Sequence, residues 1–147
     1  MIQFLNLAAA AGIGAAFAIY LPILSQTGRL VDSPALANIP FFLIGAATSA
    51  IIFLLTENAS NFPRLGQVPP WMFLAGLISG FVILGTAFLI PRIGAGPFFV
   101  LVVAGQIVMG AIMSQFGMFG SPVDPVTLKK IAGIVLVIGG AYLATVG

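Results

Sequence analysis

Cysteine and histidine are both absent from this chain of 147 residues. The lack of cysteine excludes disulfides, iron–sulfur ligation and a thiol nucleophile. The lack of histidine removes the commonest metal ligand and the commonest general base. The remaining residues form no nucleophile–base pair, phosphate-binding loop or metal-ligand spacing. We therefore expect a protein that is not an enzyme and that carries no cofactor or metal.

Charge is also scarce, because only 5% of the residues are charged whereas 61% are hydrophobic. An ordinary soluble domain has roughly a quarter of its residues charged, so this composition excludes that class. Five dispersed lysines and arginines make no nucleic-acid-binding surface. Transmembrane β-strands alternate in polarity, and stretches such as 131–137 do not alternate. The composition predicts an all-α integral membrane protein embedded in the lipid bilayer.

The charged residues divide the chain into apolar stretches of the length that a membrane helix needs. A hydrocarbon core about 30 Å thick is crossed by about 20 apolar residues in a helix. Five spans result, and together they form one transmembrane domain over residues 1–147. The first span lacks the preceding cationic residues of a signal peptide, so we expect it to be retained. The predicted spans are 2–24, 34–56, 70–90, 97–117 and 126–146.

Prolines and caps set the predicted ends of the first two spans. Pro22 bends or ends the last turn of the first span, because proline removes a backbone donor. Ser33 followed by Pro34 is typical of the start of a helix. Two alternatives remain for the second span. Either Pro40 lies inside the helix and kinks it, or Asn38 caps a shorter helix.

The loop cations do not decide the orientation in the membrane. With the N-terminus outside, the cytoplasmic loops carry Arg29 and Arg92, and the outer loops carry Arg64, Lys129 and Lys130. The positive-inside rule needs a clear excess on one side. Either a partner sets the orientation, or the chain inserts both ways and pairs antiparallel. Two opposed five-span copies would form the ten-helix inverted repeat of many secondary transporters.

Two polar residues lie at membrane depth in the predicted spans. Gln106 is near the middle of the fourth span, and a primary amide in hydrocarbon needs a hydrogen-bond partner. It either bonds a neighbouring helix or contacts a substrate. Tyr20, late in the first span, is either an anchor at the headgroups or a second substrate contact.

Three further candidates lie at the predicted ends of spans. Trp71 stands at headgroup level, where indole is favoured, and Arg92 follows Pro91 in a short connection. Both are candidates for the mouths of a substrate pathway, although Arg92 could also only anchor to phosphate headgroups. Glu57 is the one carboxylate at the end of a long apolar helix. It is either an ion or proton site, or it caps the loop or pairs with Arg64.

The last span carries small residues at helical spacing, which allow close helix contact in lipid. A terminal helix has few neighbours, so we expect this span to form a contact between two copies of the chain. The candidate residues for that interface are Val137, Gly139, Gly140, Ala141 and Thr145.

The second half of the chain resembles the YdcZ-type family of five-span proteins in the drug/metabolite transporter superfamily. The resemblance rests on an ordered series of motifs, clearest over 70–145 and looser over 30–45. The motifs are Gly76-Leu77-Ile78-Ser79-Gly80, Ile90-Pro91-Arg92-Ile93-Gly94-Ala95, Val103-Ala104-Gly105-Gln106, Gln115-Phe116-Gly117-Met118-Phe119-Gly120 and Lys130-Ile131-Ala132-Gly133-Ile134.

The resemblance implies a multi-pass protein of the bacterial inner membrane that moves small molecules, with five spans as half of a transporter. This chain departs from the family's pattern at two places. Tyr20 and Leu24 stand where relatives often have glutamine and asparagine, and Ser114-Gln115 replace an Asp-His pair. The substrate of relatives therefore does not carry over. The alternative to a transporter is a membrane subunit that stabilises or orients a partner protein.

Dual insertion makes the topology sensitive to small changes in charge. Adding two lysines beside Arg29 should hold the first loop in the cytoplasm, because the cation excess then favours one orientation. On the native chain, C-terminal reporters should be detected on both sides of the membrane. Reporters on one side only would rule out dual topology.

Overall fold

The computed structural model describes residues 2–146, with side chains from residue 4 onward. Within these residues the chain forms five long helices that are long and apolar enough to cross a membrane. This confirms the predicted all-α membrane fold. The helices are α1 (Ile2–Leu30), α2 (Pro34–Thr56), α3 (Leu74–Ile93), α4 (Ala95–Phe116) and α5 (Leu128–Val146).

The turn between α1 and α2 is closed by paired caps. The Ser33 amide donates to the Gly28 carbonyl at 3.0 Å, and the Asp32 amide donates to that of Arg29 at 3.3 Å. Asp32 adopts a φ of 50°, so these bonds form the Schellman motif that ends a helix. The Ser33 hydroxyl then accepts from the Leu36 amide at 3.1 Å and caps α2. The chain thereby reverses within three residues, and α1 and α2 lie side by side.

The end of α1 differs from the predicted end, whereas α2 has the predicted bounds, 34–56. α1 continues through Pro22 to Leu30, six residues beyond Leu24, because the loss of one backbone donor bends a helix without necessarily ending it. α2 begins at Pro34 with Pro40 inside it. Of the two alternatives for the second span, the internal proline is therefore correct, and Asn38 lies within the helix.

The connection from α2 to α3 is ordered rather than an open loop. Glu57 ends α2, with its amide donating to the Phe53 carbonyl at 2.8 Å. Two 3₁₀ segments follow, Ala59–Gln67 and Pro70–Phe73. α3 then continues past Pro91 to Ile93 rather than ending at residue 90. Only Gly94, at a φ of 85°, separates α3 from α4.

α4 and α5 form a second hairpin that polar side chains close. Gly117 ends α4 in the left-handed conformation, at a φ of 60°. The Gln115 side-chain oxygen accepts from the Val126 amide at 2.6 Å. Lys130 forms an ion pair with Asp124 and donates to the Pro125 carbonyl at 3.0 Å. α5 begins at Leu128 rather than 126, because the Thr127 hydroxyl accepts from the Lys130 amide at 3.3 Å.

The chain divides into two compact units, one ending at Pro91 and the other beginning at Arg92. In the first unit α1 packs against α2, and in the second α4 packs against α5. Few side chains are buried. Most large apolar side chains of the described residues remain exposed, as expected for helices whose outer faces meet lipid.

Candidate functional site

α1 and α2 make their closest contact over a segment next to their turn. A methyl group placed on Gly28 would lie 3.3 Å from the Pro34 Cα, so the two backbones nearly touch there. Further from the turn, the rings of Tyr20 and Phe41 stack with centroids 5.7 Å apart and planes 15° apart. We call residues 20–28 and 34–41 the paired segment. Because α1 and α2 run antiparallel, residues 20–28 of α1 lie against residues 34–41 of α2.

The paired segment contains much of the small buried core of the chain. Leu21, Leu24 and Ala37 are 7%, 5% and 2% exposed. Ser25 is 1% exposed and is the most completely buried polar residue described. A serine hydroxyl thus lies where the surrounding side chains are apolar.

Two buried oxygens in the paired segment have no hydrogen-bond partner among the described residues. They are the Ser25 Oγ and the Asn38 Oδ1. Several other hydroxyls in the spans donate to a carbonyl of their own helix. The buried Thr86 donates to the Val82 carbonyl at 2.8 Å, and Thr48 donates to that of Ile44 at 2.8 Å. Leaving a buried polar group unpaired costs about 1–3 kcal/mol. These two oxygens are therefore the exceptions in the first unit.

Prolines add to the polarity of the same segment. Pro22 and Pro40 each lie inside a helix within it. Because proline has no amide hydrogen, the carbonyls four residues earlier, of Ala18 and Leu36, lose their usual intrahelical donor. Both helices continue through their proline, and in membrane helices the carbonyls freed in this way are usually satisfied by neighbouring groups of the protein.

The depth of the paired segment follows from helix geometry. α2 has 23 residues and is about 34 Å long, close to the thickness of the hydrocarbon core. Asn38 is the fifth residue of α2, so it lies about 6 Å along the helix from its start. The unpaired oxygens are thus in the outer part of the hydrocarbon layer, within reach of a ligand that enters from the headgroup region.

A cleft of about 550 Å³ lies beside the paired segment. It runs between the start of α2 and α3, with Asp32, Ser33 and Pro34 on one side and Phe81 and Phe88 on the other. A carboxylate and two aromatic rings are groups that attract a cation. The cleft gives a small, partly apolar molecule access to the region of the paired segment.

The candidate residues of the first unit lie in different surroundings. Tyr20 contacts Phe17 as well as Phe41, with ring centroids 5.4 Å apart, so it belongs to an aromatic cluster at the border of the paired segment. Trp71 is 54% exposed and lies in the 3₁₀ segment before α3.

Glu57 accepts from the Asn61 side chain at 3.0 Å and forms no ion pair with Arg64. The loop-cap interpretation of Glu57 therefore has a structural basis.

Gln106 and Arg92 belong to the second unit. Arg92 is exposed in the last turn of α3. Gln106 lies at the middle of α4, the helix Ala95–Phe116, and is exposed. Its amide bonds no described residue. The structure therefore does not bring Gln106 to a polar partner within its own unit.

The five predicted interface residues of α5 divide between two faces. Ala141 is 3% exposed, and Val137 and Thr145 are half-buried. Gly139 and Gly140 are exposed, and a methyl group on either would meet nothing within 4 Å. Of the five, only the two glycines are open to a second chain.

Sequence reasoning missed Ser25 and the role of Gln115. The predicted end of the first span at Leu24 excludes Ser25, whereas α1 continues to Leu30 and includes it. The sequence places Gln115 in a family motif and at a departure from the pattern of relatives, but it predicts no hydrogen bond for it. Its side chain bonds a residue eleven positions later, which no local pattern reveals.

Five apolar helices with a few unpaired polar groups define a multi-pass membrane protein. The profile of the family described as "Putative inner membrane exporter, YdcZ" matches residues 5–143. The chain belongs to this family and is a multi-pass protein of the inner membrane. The match extends the resemblance seen in the second half over nearly the whole chain. No curated protein and no solved structure matches the chain significantly.

Because the Ser25 hydroxyl has no hydrogen-bond partner, we expect that removing this hydroxyl does not destabilise the fold. In Ser25→Ala the free energy of unfolding should stay the same or rise by up to about 1 kcal/mol, because a buried group without a partner is lost. The matched control is Thr86→Val, which removes a buried hydroxyl that has a partner and should lower stability by about 1 kcal/mol. Thermal unfolding in detergent measures both. Equal losses in the two variants would show that Ser25 is hydrogen-bonded in the native protein.

Proposed function

We propose that this chain exports a small molecule as an antiparallel homodimer. Each copy contributes one five-helix domain, and the two copies together form a ten-helix inverted repeat. The family's description as an exporter supports the transport of a solute rather than catalysis. The observation that carries the dimer is the exposed amide of Gln106 at the middle of α4.

The position of Gln106 favours an antiparallel partner. A primary amide that faces lipid at the bilayer centre loses its hydrogen bonds, which is costly. When two copies are related by a two-fold axis in the membrane plane, residues at the midplane of one copy stay at the midplane of the other. Gln106 of one protomer can then bond Gln106 of its partner, or both can face a substrate between them.

The even distribution of loop cations supports the same arrangement. Two cations lie on one side and three on the other, so neither orientation is favoured strongly. Both orientations then coexist in one membrane, which is the condition for antiparallel pairing of identical chains.

The substrate pathway is proposed to use the polar groups of each copy. The Ser25 and Asn38 oxygens lie at the outer part of the hydrocarbon layer, next to Tyr20 and the cleft at Asp32. The sequence prediction adds Gln106, near the middle of a span, and Trp71 and Arg92, at span ends, as further candidate contacts. Rocking of one copy against the other would expose these groups to each side in turn. The open glycines Gly139 and Gly140 offer a close contact between copies.

Cysteine crosslinking tests the antiparallel pair, because the native chain has no cysteine. Val103 and Met109 are 46% and 51% exposed and stand one turn on either side of Gln106. In an antiparallel pair Val103 of one copy and Met109 of the other share one depth. We therefore expect efficient crosslinks when Val103→Cys and Met109→Cys chains are mixed, and when Gln106→Cys is used alone.

The matched controls are the same two variants taken singly. In an antiparallel pair, two copies of Met109→Cys lie on opposite sides of the midplane, about 9 Å apart in depth, and crosslink poorly. Strong crosslinks in both single variants, and none between a Val103→Cys chain and a Met109→Cys chain in the mixture, would establish a parallel pair. The absence of any crosslink along α4 would contradict this dimer.

Ligand stabilisation tests transport against the partner-subunit alternative. The purified protein is screened by thermal shift against metabolites and lipophilic cations, since Asp32 lines the entrance cleft. A compound at 100 times its Kd should stabilise the fold by about 2.7 kcal/mol. The same compound, radiolabelled, should accumulate in inverted membrane vesicles.

The variant that locates the binding is Tyr20→Phe, which keeps the stack on Phe41 but removes the hydroxyl. It should weaken the affinity for that compound, obtained from the ligand dependence of the thermal shift, roughly fivefold or more, whereas Tyr142→Phe, the change at the other tyrosine, should not. A partner subunit would show no stabilising compound and would copurify with another protein at fixed stoichiometry.

A further inference from the structure

A second cleft, of about 850 Å³, lies at the opposite end of α2 from the paired segment. One wall is the last part of α2, including Ser49, Ala50 and Phe53. The other wall is the 3₁₀ segment Ala59–Gln67, which contributes Phe62. Its volume is within the range of small-molecule sites in proteins. The proposed transport pathway uses none of these residues.

The cleft is apolar along its length and cationic at its edge. Phe53 and Phe62 meet edge to face, with centroids 6.3 Å apart, and join the two walls. Arg64 lines the cleft and forms no ion pair with any described residue. The nearest carboxylate along the chain, Glu57, accepts from the Asn61 side chain and does not line the cleft. Arg64 is the one charged residue among those that line the cleft, so the fixed charge nearest to an occupant is positive.

The cleft lies within the depth of a single leaflet. Ser49 stands seven residues before Thr56, the end of α2, so the cleft reaches about 10 Å into the hydrocarbon from the headgroup level. Half of a hydrocarbon core is about 15 Å thick. An occupant thus has an anionic group at the interface and a chain that follows α2 inward.

We propose that this cleft binds one anionic phospholipid of the surrounding bilayer. The lipid phosphate contacts Arg64, and one acyl chain lies along Ala50 and Phe53 between the two walls. Two observations carry this assignment: the positive charge of Arg64 complements the lipid phosphate, and the cleft extends into a single leaflet, where an acyl chain lies. The lipid site lies within one chain, so it is present in a monomer and in a homodimer and does not depend on the proposed transport.

Native mass spectrometry of the full chain in detergent tests the proposal. The probes are phosphatidylglycerol, phosphatidylcholine with the same chains, and glycerol phosphate, which has no chain. We expect one phosphatidylglycerol per chain to bind at least fivefold more tightly than phosphatidylcholine. Glycerol phosphate should not bind detectably. Equal binding of the two lipids, or tight binding of glycerol phosphate, would overturn the proposal.

Matched variants separate the site from the general surface. Arg64→Gln should weaken phosphatidylglycerol about fivefold and leave phosphatidylcholine unchanged, whereas Arg29→Gln, at the interfacial end of α1, should change neither. Ala50→Phe should fill the cleft and remove tight binding of both lipids, whereas Ala46→Phe, one turn away on α2, should not. Equal effects of Arg64→Gln and Arg29→Gln, or full binding by a folded Ala50→Phe protein, would overturn the proposal.

Discussion

The bilayer core contains no water, so each polar group in it must find its partner inside the protein. The backbone meets this demand by forming five helices, and most hydroxyls meet it by bonding their own helix, as Thr48 and Thr86 do. The few groups that do not meet it then become informative. Among the described residues they include the buried Ser25 and Asn38 oxygens and the exposed Gln106 amide at the middle of α4. A membrane protein with no ionisable group deep in its spans has little other chemistry with which to recognise a solute, so its function is best sought at these atoms.

The unsatisfied groups are of two kinds, and the difference has consequences. Ser25 is buried within one chain, between helices whose positions the turn at Asp32 and Ser33 fixes. Whatever satisfies its hydroxyl must enter the chain. Gln106 is exposed, so whatever satisfies its amide comes from outside the chain. A small ligand suits the first case and a second protomer suits the second. The two observations therefore support separate parts of the proposed function, and one can fail without the other.

The number of helices could be predicted from the sequence because charges are excluded from hydrocarbon, and eight charges divide the chain clearly. The helix ends were harder to predict. A proline such as Pro22 removes one hydrogen bond, and whether the helix continues depends on what packs around it, which no local pattern records. The helix faces that contact other helices were harder still to predict. In a helix that is apolar all round, lipid-facing and protein-facing sides have similar hydropathy. The interface assigned to α5 thus included Ala141, which the structure buries.

The sparse burial of this chain also bears on how it is held together in lipid. Without a hydrophobic effect between helices, stability comes from close contacts and from interfacial anchors. The chain has close contacts only where small residues allow them, as at Gly28 against Pro34, and much of α2 beyond Phe41 is exposed. The cleft at Arg64 adjoins that exposed part, so a lipid seated there would supply contacts that the chain lacks. In an antiparallel pair the two copies would place one such cleft in each leaflet, while the Gln106 residues stay together at the midplane. The same chain would then be anchored symmetrically to both leaflets around one shared polar centre.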